Sequence, residues 1–377
     1  MVVGTGIAGM SAAISASDAG AQTLLVTDRA FGRSNSIMAQ GGIQVPADSE
    51  RDISLMLADM QSVGGPNLDF NRASSFVSEL PIVAERLGGW GLQFDVADDG
   101  SPMRRLAGGL SSPRILTVGD EIGRPLMRIL RDEVSTRCQV MVQRPVTDVQ
   151  IEGSEFRLQT KRGDVGARSV VIATGGVAYQ EAIATGGLTS NPPNENAALR
   201  ISLERLGIEE VGRRLFQWHP FGLAHSVNGV TAACVPESVA ALGPRLIGGD
   251  GTKISSLPAP RSEVVEAMND WTRRSTFSEI RLTLSELSDS DLERFPKVKK
   301  QIELYGSDPV VVPVLHYELS GLRAGLDQET SVPGLYLAGE IVGGTHGRER
   351  LMGMAVGDSL VHGHRAGVNA ARIVRDG

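Results

Sequence analysis

Apolar residues in this chain fall in short runs separated by glycine. The first run, Met1-Val2-Val3, meets Gly4-Thr5-Gly6-Ile7-Ala8-Gly9, then the small apolar stretch Met10-Ser11-Ala12-Ala13-Ile14-Ser15-Ala16. A β-branched run, Thr23-Leu24-Leu25-Val26-Thr27, follows and ends at Asp28. This order predicts strand, glycine turn, helix and strand. Two later runs have the same character. Ser169-Val170-Val171-Ile172 leads into Ala173-Thr174-Gly175-Gly176, and Gly334-Leu335-Tyr336-Leu337 leads into Ala338-Gly339-Glu340. Continuous apolar runs bounded by glycine fit parallel strands buried on both faces, whose carboxyl ends deliver backbone to one crevice. Because they come from both ends of the chain, they predict a doubly wound, Rossmann-like α/β domain built from residues 1–215 and 313–377. Residues 216–312 are then an inserted α+β capping domain. Within it a helix is predicted to start near Arg261, and the charged stretch Ser285 to Lys300 reads as a solvated helical face. The first strand, with three residues before Gly4 against about five or six usual, leads us to expect a few residues missing at the start.

The glycine turn carries the first chemical signal. Gly4 suits a tight turn, Gly6 lets backbone approach a pyrophosphate, and Gly9 permits close helix-to-strand packing; phosphate charge then lies on the helix N-terminus, at Ile7 and Ala8. Asp28, with Arg29 beside it, stands about 20 residues beyond the fingerprint, where a carboxylate holds adenosine ribose hydroxyls. Composition narrows the class further. At roughly 150 residues per domain, 377 residues predict two or three domains, and 41% hydrophobic residues fill their cores, which excludes a disordered chain. No apolar run approaches the roughly 18 to 20 residues that cross a bilayer, and no basic, cleavable leader opens the chain, so a soluble cytoplasmic protein is expected. With 37 basic and 44 acidic residues the net charge is −7, which gives no drive toward nucleic acid or anionic membrane. Cys138 and Cys234 are the only cysteines, so a disulfide framework, a four-cysteine zinc site and an iron–sulfur cluster held by this chain alone are excluded and no metal is expected. Redox chemistry here needs an organic cofactor.

The stretch Arg33-Ser34-Asn35-Ser36-Ile37-Met38-Ala39-Gln40-Gly41-Gly42 resembles the flavin-contacting loop of the succinate dehydrogenase, fumarate reductase and L-aspartate oxidase flavoproteins. Further motifs follow in the family's order: Gly108-Gly109 to Pro113-Arg114-Ile115-Leu116, Ala173-Thr174-Gly175-Gly176, Phe216-Gln217-Trp218-His219-Pro220, His316-Tyr317, Leu337-Ala338-Gly339-Glu340, and His346-Gly347-Arg348-Glu349-Arg350-Leu351. The resemblance implies FAD, with Ala39, Gln40, Gly41 and Gly42 beside the isoalloxazine ring. Ser34, Asn35, Ser36, Ala173, Thr174, Gly175, Gly339, Glu340, Arg350, Ala355 and Val356 complete the implied cofactor set. Asn35 occupies the position of the histidine that bonds covalently to flavin in respiratory members, so FAD is expected to be noncovalent.

Taken singly, His219, His316, Arg261 and Arg350 read as structural histidines or surface arginines. The resemblance assigns them to a four-carbon dicarboxylate, gripped by two arginine forks and two histidines. It implies hydride transfer between flavin N5 and a substrate carbon, with Arg261 moving the proton and Glu237 relaying it. The family pattern is broken at Ala240, which replaces the relay arginine, at Pro236, which replaces a substrate-contacting threonine, and at Leu242, where an acidic residue is common. Ala107 stands where aspartate oxidases place the glutamate that pairs with the substrate ammonium. These features favour a fumarate reductase or succinate dehydrogenase-like reaction. An L-aspartate oxidase-like reaction and a catalytically degenerate flavoprotein are the alternatives. The electron donor or acceptor is open, with oxygen among the candidates. Respiratory members continue past the Arg350 motif with a helical domain, whereas this chain ends at Gly377, so no stable iron–sulfur subunit is expected.

Overall fold

The computed structural model describes residues 1–47 and 50–376. Its centre is a five-stranded, wholly parallel sheet ordered Leu335–Leu337, Val170–Ile172, Val2–Val3, Leu24–Val26, Gln139–Met141. Strands from both ends of the chain therefore lie side by side, with the first at the centre. Alternation along each strand divides the core in two. Val2, Leu25, Val171 and Tyr336 face helices Ile7–Asp18, Gly123–Ser135 and Met354–Asp376. Val3, Val26, Val170, Ile172, Leu335 and Leu337 face the other way. That second face carries both a helix and additional strands. An antiparallel meander, Val146–Glu152, Glu155–Thr160 and Val165–Ala167, and the helix Asn196–Arg205 pack there, through Val149, Leu158, Leu199 and Leu203.

Helix Ile7–Asp18 is clamped against Met354–Asp376 through glycines. A Cβ on Gly363 would stand 2.4 Å from the Ala8 carbonyl oxygen, and one on Gly367 2.1 Å from that of Ala12. Only hydrogen at these positions allows the helices to approach this closely. Among the described residues no helix is long and apolar enough to cross a membrane.

Two long antiparallel strands, Phe216–Leu223 and Val311–Glu318, lead into and out of the inserted segment. A separate core gathers there around Phe221, Leu246, Val264, Met268, Leu282, Val298 and Val311. It is closed by a three-stranded sheet, with Leu246–Gly248 between Lys253–Ser255 and Ile280–Leu282, and by helices Arg261–Arg274 and Pro296–Tyr305. The charged stretch Ser285 to Lys300 is mostly solvent-exposed, and one edge of its second helix docks inward. Val298 and Gln301 are buried, and the main-chain N–H groups of Lys297 and Val298 donate to the buried Asp120 carboxylate.

Candidate active site

A cleft runs along the carboxyl ends of the parallel strands. Its first part is lined by Gly4, Gly6, Ile7, Ala8, Asp28, Arg29, Ser34, Asn35, Ser36, Ala173, Thr174, Gly175, Gly339 and Glu340. Gly4 has φ +111°, and a Cβ there would lie 2.2 Å from the Ala173 carbonyl oxygen, so the turn tolerates only glycine. Gly9, the third glycine of the fingerprint, does not itself line the cleft. A Cβ on Gly9 would lie 1.9 Å from the Gly4 carbonyl oxygen, so this glycine serves turn-to-helix packing instead. Helix Ile7–Asp18 has no side-chain cap at Gly6, leaving its positive end toward the cleft. Asp28 is half-buried and accepts from Arg29 Nε at 3.3 Å. A helix N-terminus without a carboxylate cap, its Ile7 main-chain N–H donating to the Ser36 hydroxyl at 3.2 Å, and an acceptor carboxylate one strand away together fit a dinucleotide. Glu340, at the end of strand Leu335–Leu337, accepts from the Glu318 main-chain N–H at 2.9 Å. Its desolvated setting pushes the carboxyl up to about 7.

The cleft continues between the sheet domain and the inserted segment, lined by Asn35, Ser36, Ala39, Gln40, Gly41, Gly42, His219, Glu237, Arg261, His316, Glu340, Arg350, Ala355 and Val356. Apart from Gly9, every candidate residue therefore borders one of the two parts. Asn35 Nδ2 donates to Asn191 Oδ1 at 2.9 Å.

Local structure aims the four substrate candidates. In strand Phe216–Leu223 the burial alternates at Gln217, Trp218 and His219, with the exposed Trp218 between two buried polar residues. His219 Nδ1 accepts from the Phe221 main-chain N–H at 3.1 Å, so Nε2 carries the proton and is the donor. Burial, aided by nearby Arg261, pushes this imidazole down to about 3, and it is neutral at physiological pH. On the facing strand the register slips between Gln217 and Trp218, whose partners are Tyr317 and Leu315. His316 is the bulged residue left out of the ladder, and a bulge re-aims a side chain. Its ring lies 5.1 Å from that of His219, and its Nδ1 is 2.8 Å from Ser190 Oγ.

Arg261 opens helix Arg261–Arg274 on the face that also buries Val264, Val265 and Met268. Helical spacing thus turns its side chain inward. Its Nε donates to Glu237 Oε2 at 2.5 Å, and its Nη1 to Gln217 Oε1 at 2.9 Å. Burial opposes ionisation of Glu237, but the Arg261 guanidinium outweighs it and holds the carboxyl below its ordinary value. Arg350 is 5% exposed and, among the described residues, has no carboxylate within 4 Å. Its Cζ lies 4.4 Å from the Tyr317 ring centroid. Burial, then repulsion from Arg261, pushes it down to about 10, which leaves it cationic at neutral pH. Gln217, Ser190 and Tyr317 were not among the sequence candidates. The one available signal was that Gln217 stands two residues before His219, on the same strand face.

The departures from the family pattern have clear surroundings. Ala240 belongs to the apolar core of the inserted segment, Leu242 packs against that core, and Pro236 precedes the short 3-10 helix Glu237–Leu242. Ala107 is buried in a small apolar cluster with Ile115 and Met352, of which only Met352 borders the cleft. Among the described residues no cluster of three or more His, Cys, Asp or Glu side chains is arranged to hold a metal ion.

Residues 1–356 match the family described as FAD binding domain. An L-aspartate oxidase of Saccharolobus solfataricus is 27% identical over 386 residues, covering 99% of this chain and 76% of that protein. A fumarate reductase (CoM/CoB) chain of Methanothermobacter marburgensis is 26% identical over 406 residues, covering 99% of this chain and 72% of that protein. Among solved structures, apo Sdh1 of Mycobacterium smegmatis superposes with a TM-score of 0.82 at 26% identity, over 99% of this chain and 68% of that one. FrdA of E. coli quinol fumarate reductase shares the fold, with a TM-score of 0.86 at 23% identity over 100% of this chain and 70% of that one.

Proposed function

Because the chain belongs to the FAD binding domain family, we propose that this FAD-dependent oxidoreductase acts on the CH–CH bond of a small dicarboxylate, with fumarate and succinate as the leading pair. The observation that carries the proposal is Arg350, a buried cation bordering the cleft with no carboxylate partner among the described residues. An unpaired buried guanidinium costs several kcal/mol, and a substrate carboxylate seated in its fork offsets that cost. The two relatives above are named for acting on aspartate and fumarate, both four-carbon dicarboxylates.

Bound FAD supplies hydride exchange with the substrate carbon. Arg350 holds one carboxylate, and neutral His219 donates from Nε2 to a carboxylate oxygen. His316, braced by Ser190, forms the adjoining wall. Arg261 passes a proton to or from the neighbouring carbon, and ionised Glu237, in contact with its Nε, exchanges that proton in turn. Asn35 offers an amide where a covalent flavin bond needs a nucleophilic ring, so the cofactor is held noncovalently.

L-Aspartate is the weaker reading for this chain. The carboxylate bordering the substrate end of the cleft, Glu237, is already paired with Arg261, and desolvating an ammonium without a partner is costly. The test is anaerobic stopped-flow mixing of the dithionite-reduced holoprotein with fumarate. Rapid flavin reoxidation supports the proposal. Flavin that stays reduced with fumarate, in a protein that makes hydrogen peroxide and ammonia from L-aspartate in air, overturns it in favour of an oxidase.

A further inference from the structure

Two helices of the inserted segment begin without caps of their own. Helix Arg261–Arg274 follows Pro260 and helix Pro296–Tyr305 follows Phe295, and neither residue supplies a side-chain acceptor to the first turn. Elsewhere the chain does cap locally: Asp69 accepts from the Arg72 main-chain N–H, and Ser288 from that of Asp291. For the two uncapped helices the acceptors come from the sheet domain. Glu349 accepts from the Ser262 main-chain N–H at 3.1 Å and from the Ser262 hydroxyl. Asp120 accepts from the main-chain N–H groups of Lys297 and Val298, each at 3.0 Å. Both carboxylates are buried and neither borders the cleft, yet each holds a helix whose start supplies a cleft residue, Arg261 or Lys297. Glu349 also directly precedes Arg350, so its clasp joins the chain positions next to both substrate arginines.

We infer that Glu349 and Asp120 are positioning residues that hold the inserted segment shut over the cleft by capping its two helices from the opposite domain. A helix N-terminus presents unpaired N–H groups and a partial positive charge, and a buried carboxylate answers both. Separating the two parts strips both helices of the only side-chain caps they have among the described residues, so closure is cooperative and Arg261 is brought into register with Arg350. The inference rests on the reading of those two arginines as the groups that meet the substrate.

The test uses the FAD-loaded full chain and the variants Asp120→Leu and Glu349→Met, each close in shape to the carboxylate it replaces and without an oxygen to accept from the helix N–H groups. Hydrogen–deuterium exchange is followed at the first turns of both helices. Each variant is expected to speed exchange about five- to tenfold, the factor that loss of a helix cap carries, at both helix starts and not only at its own. Half-saturation by fumarate should also move to several-fold higher concentration, with a smaller effect on the limiting rate. Exchange that rises only at the helix whose cap was removed, in both variants, means two local caps, and overturns the inference. Coupled exchange in a protein that fumarate never reoxidises keeps the clasp and rejects the dicarboxylate reading.

Discussion

Gln217 and Arg350 are joined through the main chain: Gln217 Nε2 donates to the Arg350 carbonyl oxygen at 2.8 Å. The other end of the same buried amide accepts from Arg261 Nη1 at 2.9 Å. One side chain therefore ties both arginines, and its two ends cannot be exchanged, since a flip would set donor against donor. Gln217→Met keeps the volume and removes both bonds. Hydrogen bonds to charged groups contribute about 1.5–3 kcal/mol, so the single-turnover rate with fumarate is expected to fall about tenfold to a hundredfold. FAD content, read from flavin absorbance, should be retained.

Arg261→Lys removes the fork while keeping one positive charge. A lysine ammonium cannot contact Glu237 and Gln217 together as the guanidinium does. Turnover is expected to drop by about 10² to 10⁴, the span attributed to a positioned proton-transfer group, with FAD still bound. Retained activity would remove Arg261 from the proton-transfer role.

Acid precipitation of the holoprotein should release the flavin entirely into the supernatant, because Asn35 hydrogen-bonds to Asn191 and offers no covalent linkage. Colour remaining in the pellet would contradict this.

Glu340 sets a pH dependence of apoprotein stability. Its carboxyl is pushed up to about 7 in the folded state from an ordinary value of 4.5, so the folded protein binds this proton more tightly than the unfolded chain. The stabilisation is complete below the unfolded value and is lost as pH rises through the folded one. Chemical denaturation between about pH 4.5 and 7.5 should show stability falling by at most roughly 3 kcal/mol from this group. Glu340→Gln should flatten that slope; an unchanged slope would place the dependence elsewhere.

Gly367→Ala opposes two known effects. Helix propensity alone favours alanine by about 1 kcal/mol, but the new Cβ would lie 2.1 Å from a backbone carbonyl oxygen that cannot step aside. Overpacking of this kind costs about 1–3 kcal/mol. The clash should win, and thermal melting of the variant should shift down by roughly one to three degrees. A melting temperature at or above that of the parent would show that the helix pair can spread apart without penalty.

The lining of the cleft was legible in the sequence where its requirements are local. Gly4 is needed by the dihedral of its own turn and Gly9 by the carbonyl of a residue one helical step away, and the apolar runs ending at Ile172 and Leu337 report burial on both faces wherever the strands finally pair. Motif order placed His219, Glu237, Arg261, His316 and Arg350, which the fold brings to one cleft. Tertiary structure alone decided how those side chains are held. Gln217 reaches Arg261 and Arg350, Asp120 reaches Lys297 and Val298, and Glu349 reaches Ser262 across separations of 44 to 178 residues. Periodicity cannot encode such pairings, because it reports only which face of an element leaves water and not which polar group it meets there. The bulge at His316, the meander on the second sheet face and the docked edge of the charged helix were hidden for the same reason. Each depends on a partner elsewhere in the chain, and hydrogen-bonding capacity in a sequence becomes a specific bond only when folding supplies that partner.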